Sequence, residues 1–300
     1  MSILVVGSVA LDSVKTPFGE REEALGGSAV FFSVAASFFS EVRVSAVVGE
    51  DFPPEHLHFL ASRGIDLEGL QRRPGRTFRW RGRYDYDLNE AHTLETQLNV
   101  FEGFQPEIPD AYRDSEFVFL ANIDPDLQLQ VLEQVRDPRL VLCDTMNYWI
   151  ENKRSQLLKT ISRVDIMLVN DAEARQLTGE PNLIRAGRSI LRMGPRRVVI
   201  KKGEHGVLMI GPDTFFSLTA YPLENVFDPT GAGDSFGGGF LGSLSHYDQL
   251  DEDALRRSIV YGSVMASFNV ESFSCDRLRE LTREDVEERF REFMAMTRFN

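Results

Sequence analysis

Short apolar runs bounded by turn residues recur along the chain: SILVVGSVA at the start, then RVSAVVG, EFVFLAN, RLVLCDT, VDIMLVN and RRVVIKKG. Each has the length and β-branched content of a buried strand. Between most of them apolar residues return at helical spacing, as from Ser28 to about Phe39 and from about Pro53 to Arg63, where Gly64 is placed to end the helix. Strands that are apolar throughout and alternate with helices predict a mostly parallel sheet covered on both faces, a three-layer α/β sandwich. Two segments break the alternation. Residues 12–24 follow the first strand without a helix, and residues 75–101 (GRTFRWRGRYDYDLNEAHTLETQLNVF) alternate aromatic, β-branched and charged residues. The second pattern is that of an antiparallel sheet half open to water. Together they predict a small β lid over the carboxyl ends of the parallel strands, where open α/β sheets bind ligands. Helical patterns at about 234–246, 251–268 and 282–296 complete the chain. Without repeats or linkers, residues 1–300 read as a single domain carrying the lid.

Charge narrows the partners. With 33 basic against 46 acidic residues the formal net charge is −13, and so acidic a surface argues against nucleic acid. A bound nucleotide would then need a local positive charge or a metal. Cys143 and Cys275, far apart and outside CxxC spacing, read as buried thiols in a reducing compartment. The first residues lack the charged region of a signal peptide, and no apolar run reaches the ~18 residues of a membrane span. The expectation is a cytoplasmic protein without membrane contact. His56 and His58 read as solvent-exposed on a polar helix.

The densest chemistry lies in FDPTGAGDSFGGGF, Phe227 to Phe240. Pro229 restricts Asp228 to extended angles, and Gly231 and Gly233 permit turns that other residues resist. DSFGGGFLGSL continues at helical spacing. The N–H groups of Gly231, Ala232 and Gly233 would then converge at a helix N-terminus, a geometry that binds phosphate. Asp234, in the first helical turn, would sit beside the phosphate, placed to take a proton from an attacking hydroxyl. The alternative is that Asp234 caps the helix and the glycines only allow close packing. There is no GxxxxGK[ST] phosphate loop, and GAGDSFG misses the GxGxxG spacing by one residue.

DPTGAGDSFGGGFL closely resembles the C-terminal signature of the PfkB (ribokinase-like) carbohydrate and nucleoside kinases. Other landmarks follow in the family's order: GSVALD, LGGSAVFFSVAA, VNDAEARQLTG and VVIKKGEHGV. The resemblance implies an ATP-dependent phosphotransferase acting on an alcohol group of a small molecule, with a ribokinase-like αβα sandwich and a β lid. It implies Asp234 as catalytic base and the 231–233 backbone as anion hole. Asp12, Gly26, Gly27 and Ser28 then resemble the substrate end of the site. Asn170 and Glu173 resemble the NxxE pair that organises Mg²⁺, largely through water, although an N-cap with a first-turn carboxylate would look the same. Lys201, Lys202, Gly203 and Gly206 fall at the strand end and turn before the nucleotide pocket. Asp228 and Thr230 lie in the nucleotide loop, where relatives can hold a monovalent cation. Val264 to Asn269 is expected to line the adenine pocket.

The chain departs from the pattern where sugar kinases usually place an asparagine after the di-glycine. Phe31 or Phe32 occupies that place, and a ring cannot replace an amide's directional bonds. Phe31 is either a stacking residue or a core residue. Asn122 and Asp144, after two strand ends, are expected to face the cleft. Arg79, Arg81 and Arg83 either meet an anionic substrate or pair with Asp85, Asp87 or Glu90. The substrate expected is a sugar or sugar derivative. The alternatives are a nucleoside, favoured by Phe31, Phe32 and Trp80, and a non-catalytic sugar- or nucleotide-binding regulator. A homodimer through the lid is a further expectation.

Overall fold

A computed structural model describes residues 1–298. In chain order its strands are β1 (Ser2–Val6), β2 (Ala10–Thr16), β3 (Gly19–Gly26), β4 (Glu41–Gly49), β5 (Ile65–Asp66), β6 (Leu70–Arg73), β7 (Phe78–Tyr84), β8 (Ala91–Gln97), β9 (Phe117–Leu120), β10 (Leu140–Cys143), β11 (Ile166–Asn170), β12 (Arg197–Lys201), β13 (Val207–Ile210) and β14 (Phe215–Leu218). The central sheet runs β14-β13-β12-β11-β10-β9-β1-β4-β5, with β6 beside β4. It is parallel from β5 to β12 and antiparallel at the β12-β13-β14 edge.

Apolar residues at most positions of the central strands give the sheet two dry faces, because successive side chains point to opposite sides. Ile3 and Val5 of β1 pack with Phe32, Phe240, Val264 and Phe290 on one face. Leu4 and Val6 pack with Val131, Leu157, Ala174 and Ala186 on the other. Helices Ser28–Ala36 and Ala232–Leu244 approach closely because Gly238 has no side chain: a Cβ there would lie 2.3 Å from the Phe32 carbonyl oxygen.

The lid is a separate four-stranded sheet, β3-β2-β7-β8. It differs from the expected antiparallel sheet in one respect. Each hairpin is antiparallel, but the central β2–β7 pair is parallel. Both strands leave the carboxyl end of the parallel sheet, β2 after β1 and β7 after β6, so they run the same way. Two of the three lid arginines pair with carboxylates other than the nearby ones expected, and Arg83 takes no ion pair among the described residues. Arg79 reaches Glu23 and Asp51, each at 2.8 Å, and Arg81 reaches Glu22 at 3.6 Å. Asp85 is taken by His92 at 2.9 Å. His58 is exposed as expected, but His56 is half-buried, its ring 5.6 Å from Phe52. Both cysteines are free and buried. Among the described residues no helix is long and apolar enough to cross a membrane.

Candidate active site

The carboxyl ends of the parallel strands bring the predicted residues together. Asn122 and Asp144 follow β9 and β10, Asn170 and Lys201 close β11 and β12, and the register pairs Asn170 with Lys201. Facing them is the start of helix Ala232–Leu244. Gly231 caps it at φ +76°, in the left-handed region, with the Phe31 ring so close that a Cβ would lie 2.3 Å from it. Only glycine fits that conformation and that space. The N–H groups of Gly231, Gly233 and Asp234 find no acceptor among the described residues. Ala232 corrects the sequence reading: its N–H donates to the Pro229 carbonyl at 3.1 Å and is not free to meet a phosphate.

The loop is held from beneath. Asp228 Oδ1 accepts from the Thr230 N–H at 2.9 Å, and the Asn269 amide donates to the Thr230 carbonyl at 2.8 Å. Asn269 is therefore spent on the loop, and Val264 is wholly buried in the core. Helix Glu252–Asn269 turns both side chains inward, so neither presents an open surface in this structure. The loop contains two misleading spellings. GDSFG (233–237) matches the GxSxG pattern of serine hydrolases, but Ser235 is fully buried within the helix and donates to Asn269 Oδ1 at 3.0 Å. Gly237, Gly239 and Gly242 satisfy GxGxxG inside the same helix, away from its free N–H groups.

One lysine serves several carboxylates. Lys201 Nζ donates to Asp144 Oδ2 at 2.7 Å and lies 2.9 Å from where a Gly233 Cβ would be, beside the free N–H groups. Burial opposes its charge, but Asp144 and Glu173 outweigh that and hold its pKa above the usual value. Lys202 takes no ion pair among the described residues; its backbone turns through Gly203 to Gly206, the latter at φ +84°. Burial, then Asp144, pushes Asp234 up to about 8, with Lys201 opposing. Burial and Asp144 likewise raise Glu173. Asn170 and Glu173 form a capping box: each side chain accepts from the other's backbone N–H at 2.7 Å. That is the local structure foreseen as the alternative, yet it leaves one Glu173 oxygen uncommitted beside the Asp144–Lys201 pair. Among the described residues no three His, Cys, Asp or Glu side chains form a ready cage. Such a donor set fits a hard cation that keeps most of its waters, as Mg²⁺ does.

The opposite end is built by β2 and the di-glycine. Asp12 Oδ2 accepts from the Gly27 N–H at 3.2 Å, and Gly26 leaves the space its carboxylate fills. Burial, opposed by Gly27 and assisted by Asp228, raises Asp12 to about 7. Ser28 is a clamp: its hydroxyl and N–H engage the N–H and hydroxyl of Ser8, tying β1 to helix Ser28–Ala36. Phe31 is buried between Gly231 and the Asp12–Asp228 side, and Phe32 stacks on Phe119 in the core, centroids 4.1 Å apart. Asn122 Oδ1 accepts from Trp149 Nε1 at 3.0 Å. Sequence reasoning missed Trp149 in this role, and Tyr84, which reaches Thr230 from the lid. A separate open groove of about 440 Å³ between Val48, Leu57, Leu70 and Arg72 lies away from these residues.

These raised carboxyl pKa values make folding pH-dependent. Asp12 and Asp234 hold protons in the native state that the unfolded chain releases near pH 4. The native state therefore binds more protons between about pH 4 and about pH 8, and stability falls as pH rises through that window. Thermal melts of the ligand-free protein are expected to lose about 5 °C or more between pH 5.5 and 9, and Asp234→Asn to lose less. A melting temperature that rises steadily to pH 9 would contradict the assignment.

Known proteins resemble the chain along most of its length and share its fold. A cytidine kinase from Thermococcus kodakarensis is 32% identical over 257 residues, covering 84% of this chain and 91% of that protein. The solved nucleoside kinase of Burkholderia thailandensis in complex with inosine superposes with a TM-score of 0.79 at 20% identity, over 97% of each chain. A putative ribokinase II from E. coli, in complex with ATP and Mg²⁺, gives 0.81 at 17% identity over 97% of this chain and 99% of that one. Kinases of this kind are phosphotransferases with an alcohol group as acceptor. Residues 3–280 match the description "pfkB family carbohydrate kinase", and the chain belongs to that family.

Proposed function

We propose that the protein transfers the γ-phosphoryl group of ATP to a hydroxyl of a nucleoside, with Asp234 as the base. The observation that carries the nucleoside reading over the free-sugar reading is the similarity to the cytidine kinase along most of both chains. Two features of the site support it. Phe31 stands where sugar kinases usually carry a hydroxyl-binding amide. On the lid, Trp80 pairs in register with Asp12, so both project from the same face. The Trp80 ring lies across Gly82 and is fixed by Nε1 donating to Thr93 Oγ1 at 3.1 Å, a flat surface beside a buried carboxylate.

In this reading Asp12 accepts from acceptor hydroxyls and orients the one to be phosphorylated towards Asp234. Asp234, with a pKa near the working range, removes its proton. The N–H groups of Gly231 and Gly233, with Lys201, hold the transferred phosphoryl charge. Glu173 and Asn170 would hold Mg²⁺ through water, and the ion would neutralise phosphate oxygens. Lid closure excludes water as a competing acceptor.

Calorimetry with cytidine, inosine and ribose, each in the presence of Mg²⁺ and a non-hydrolysable ATP analogue, tests the substrate class. At least one nucleoside is expected to bind about tenfold or more tightly than ribose. Tighter binding of ribose than of any nucleoside would move the substrate to the free sugars.

A further inference from the structure

The lid touches the body at several points, and one of them falls on the loop read here as facing the phosphates. Tyr84, at the end of β7, shares the face of Trp80 and Gly82. The Thr230 hydroxyl donates to the Tyr84 hydroxyl oxygen over 3.3 Å. Among the described residues this is the one hydrogen bond between the lid and residues 229–235. Other lid contacts fall outside that loop: Phe18 edge-on to Phe227 at 6.5 Å, and Asn89 beside Gly203.

Thr230 is the residue through which such a contact would matter. Its N–H is held by Asp228 and its carbonyl by Asn269, and both partners belong to the body. Its hydroxyl alone reports the lid. The next residue, Gly231, carries the first free N–H and the left-handed turn. Burial, with Asp228, Asp12 and Asp234 nearby, keeps the Tyr84 phenol protonated, so it sits among carboxylates as a neutral group.

We propose that Tyr84 is a positioning residue that couples closure of the lid to the orientation of Thr230 and Gly231. The free N–H groups are then aligned when the lid is down and released when it lifts. This rests on the reading of 229–235 as the phosphate-facing loop and not on which acceptor is used.

Amide hydrogen exchange on the ligand-free 300-residue chain tests the coupling without a substrate. Tyr84→Phe keeps the ring and removes the oxygen. The amides of Thr230, Ala232 and Ser235, each hydrogen-bonded in the closed loop, are expected to exchange about three- to tenfold faster, the size of one neutral hydrogen bond. Thr230→Val should have the same effect, and the double variant no more than either. Unchanged exchange in Tyr84→Phe, or effects that simply add, would overturn the proposal. In turnover with Mg-ATP and cytidine, Tyr84→Phe is expected to lower kcat by about three- to tenfold. It should also form more ADP than phosphorylated product, with KM for ATP unchanged, a split that a merely structural residue would not produce. Wild-type kcat with one ADP per product would count against the coupling. A wild-type protein that ignores cytidine while the variants show the exchange pattern would reject the nucleoside reading and leave the Tyr84 assignment standing.

Discussion

Asp234→Asn is expected to lower turnover by roughly 10²–10⁴-fold or more while leaving nucleotide affinity nearly intact. Asparagine keeps the shape of the side chain and removes its capacity to take a proton. The backbone N–H groups and Lys201, which face the phosphates in this account, are untouched by the change. A pH profile of kcat/KM should carry the same signature. In the free enzyme Asp234 rests near pKa 8, pushed there by burial and by Asp144. Protonation below that value disables the base, so kcat/KM should decline as pH falls, and the residual activity of Asp234→Asn should lack that limb. Near-normal turnover in the variant would mean that Asp234 is not the base; it caps nothing, since Gly231 is the N-cap and no side chain bonds the first turn.

Gly231→Ala is expected to produce the second largest loss. The residue sits at φ +76°, where a side chain costs about 1–2 kcal/mol. The added Cβ would also stand 2.3–2.5 Å from three atoms of the Phe31 ring. Phe31 is 1% exposed and cannot swing aside without disturbing the core. The loop must therefore shift, and with it the N–H groups of Gly231 and Gly233. Displacing one such donor typically costs about 10²–10³ in kcat. Turnover should fall on that scale together with the melting temperature. An alanine variant with wild-type kcat would mean that the backbone here does not face the reacting phosphate.

Much of this site is legible in the sequence because it rests on local patterns. Strand ends can be read from apolar runs, so Asn122, Asp144, Asn170 and Lys201 fall together at the carboxyl ends of the parallel strands. The turn chemistry of DPTGAGD likewise places Asp234 in a first helical turn. What was not legible depends on rotation and on distant pairing. Lys201 and Lys202 look equivalent as letters, and only the parallel register with Asn170 turns the first towards Asp144. Val264 and Asn269 face the core and the loop because of how one helix is rotated about its axis. Ala232 loses its N–H to the Pro229 carbonyl through a turn that composition cannot specify. Tyr84 reads as one more aromatic in a charged lid until the fold brings it to Thr230, 146 positions away in sequence. Arg79 and Arg81 show the same limit, since their partners lie on β3 and at Asp51 and not along their own hairpin.

Phosphoryl transfer to a nucleoside hydroxyl, with Asp234 as the base, is the central claim. Mass spectrometry of reactions containing Mg-ATP and a panel of nucleosides, cytidine first, tests this most directly, with wild type and Asp234→Asn run side by side. The predicted result is a nucleoside monophosphate and an equal amount of ADP from the wild type, with product from the variant reduced by about 10²-fold or more. A phosphorylated free sugar with no nucleoside monophosphate, or equal product from both proteins, would contradict it.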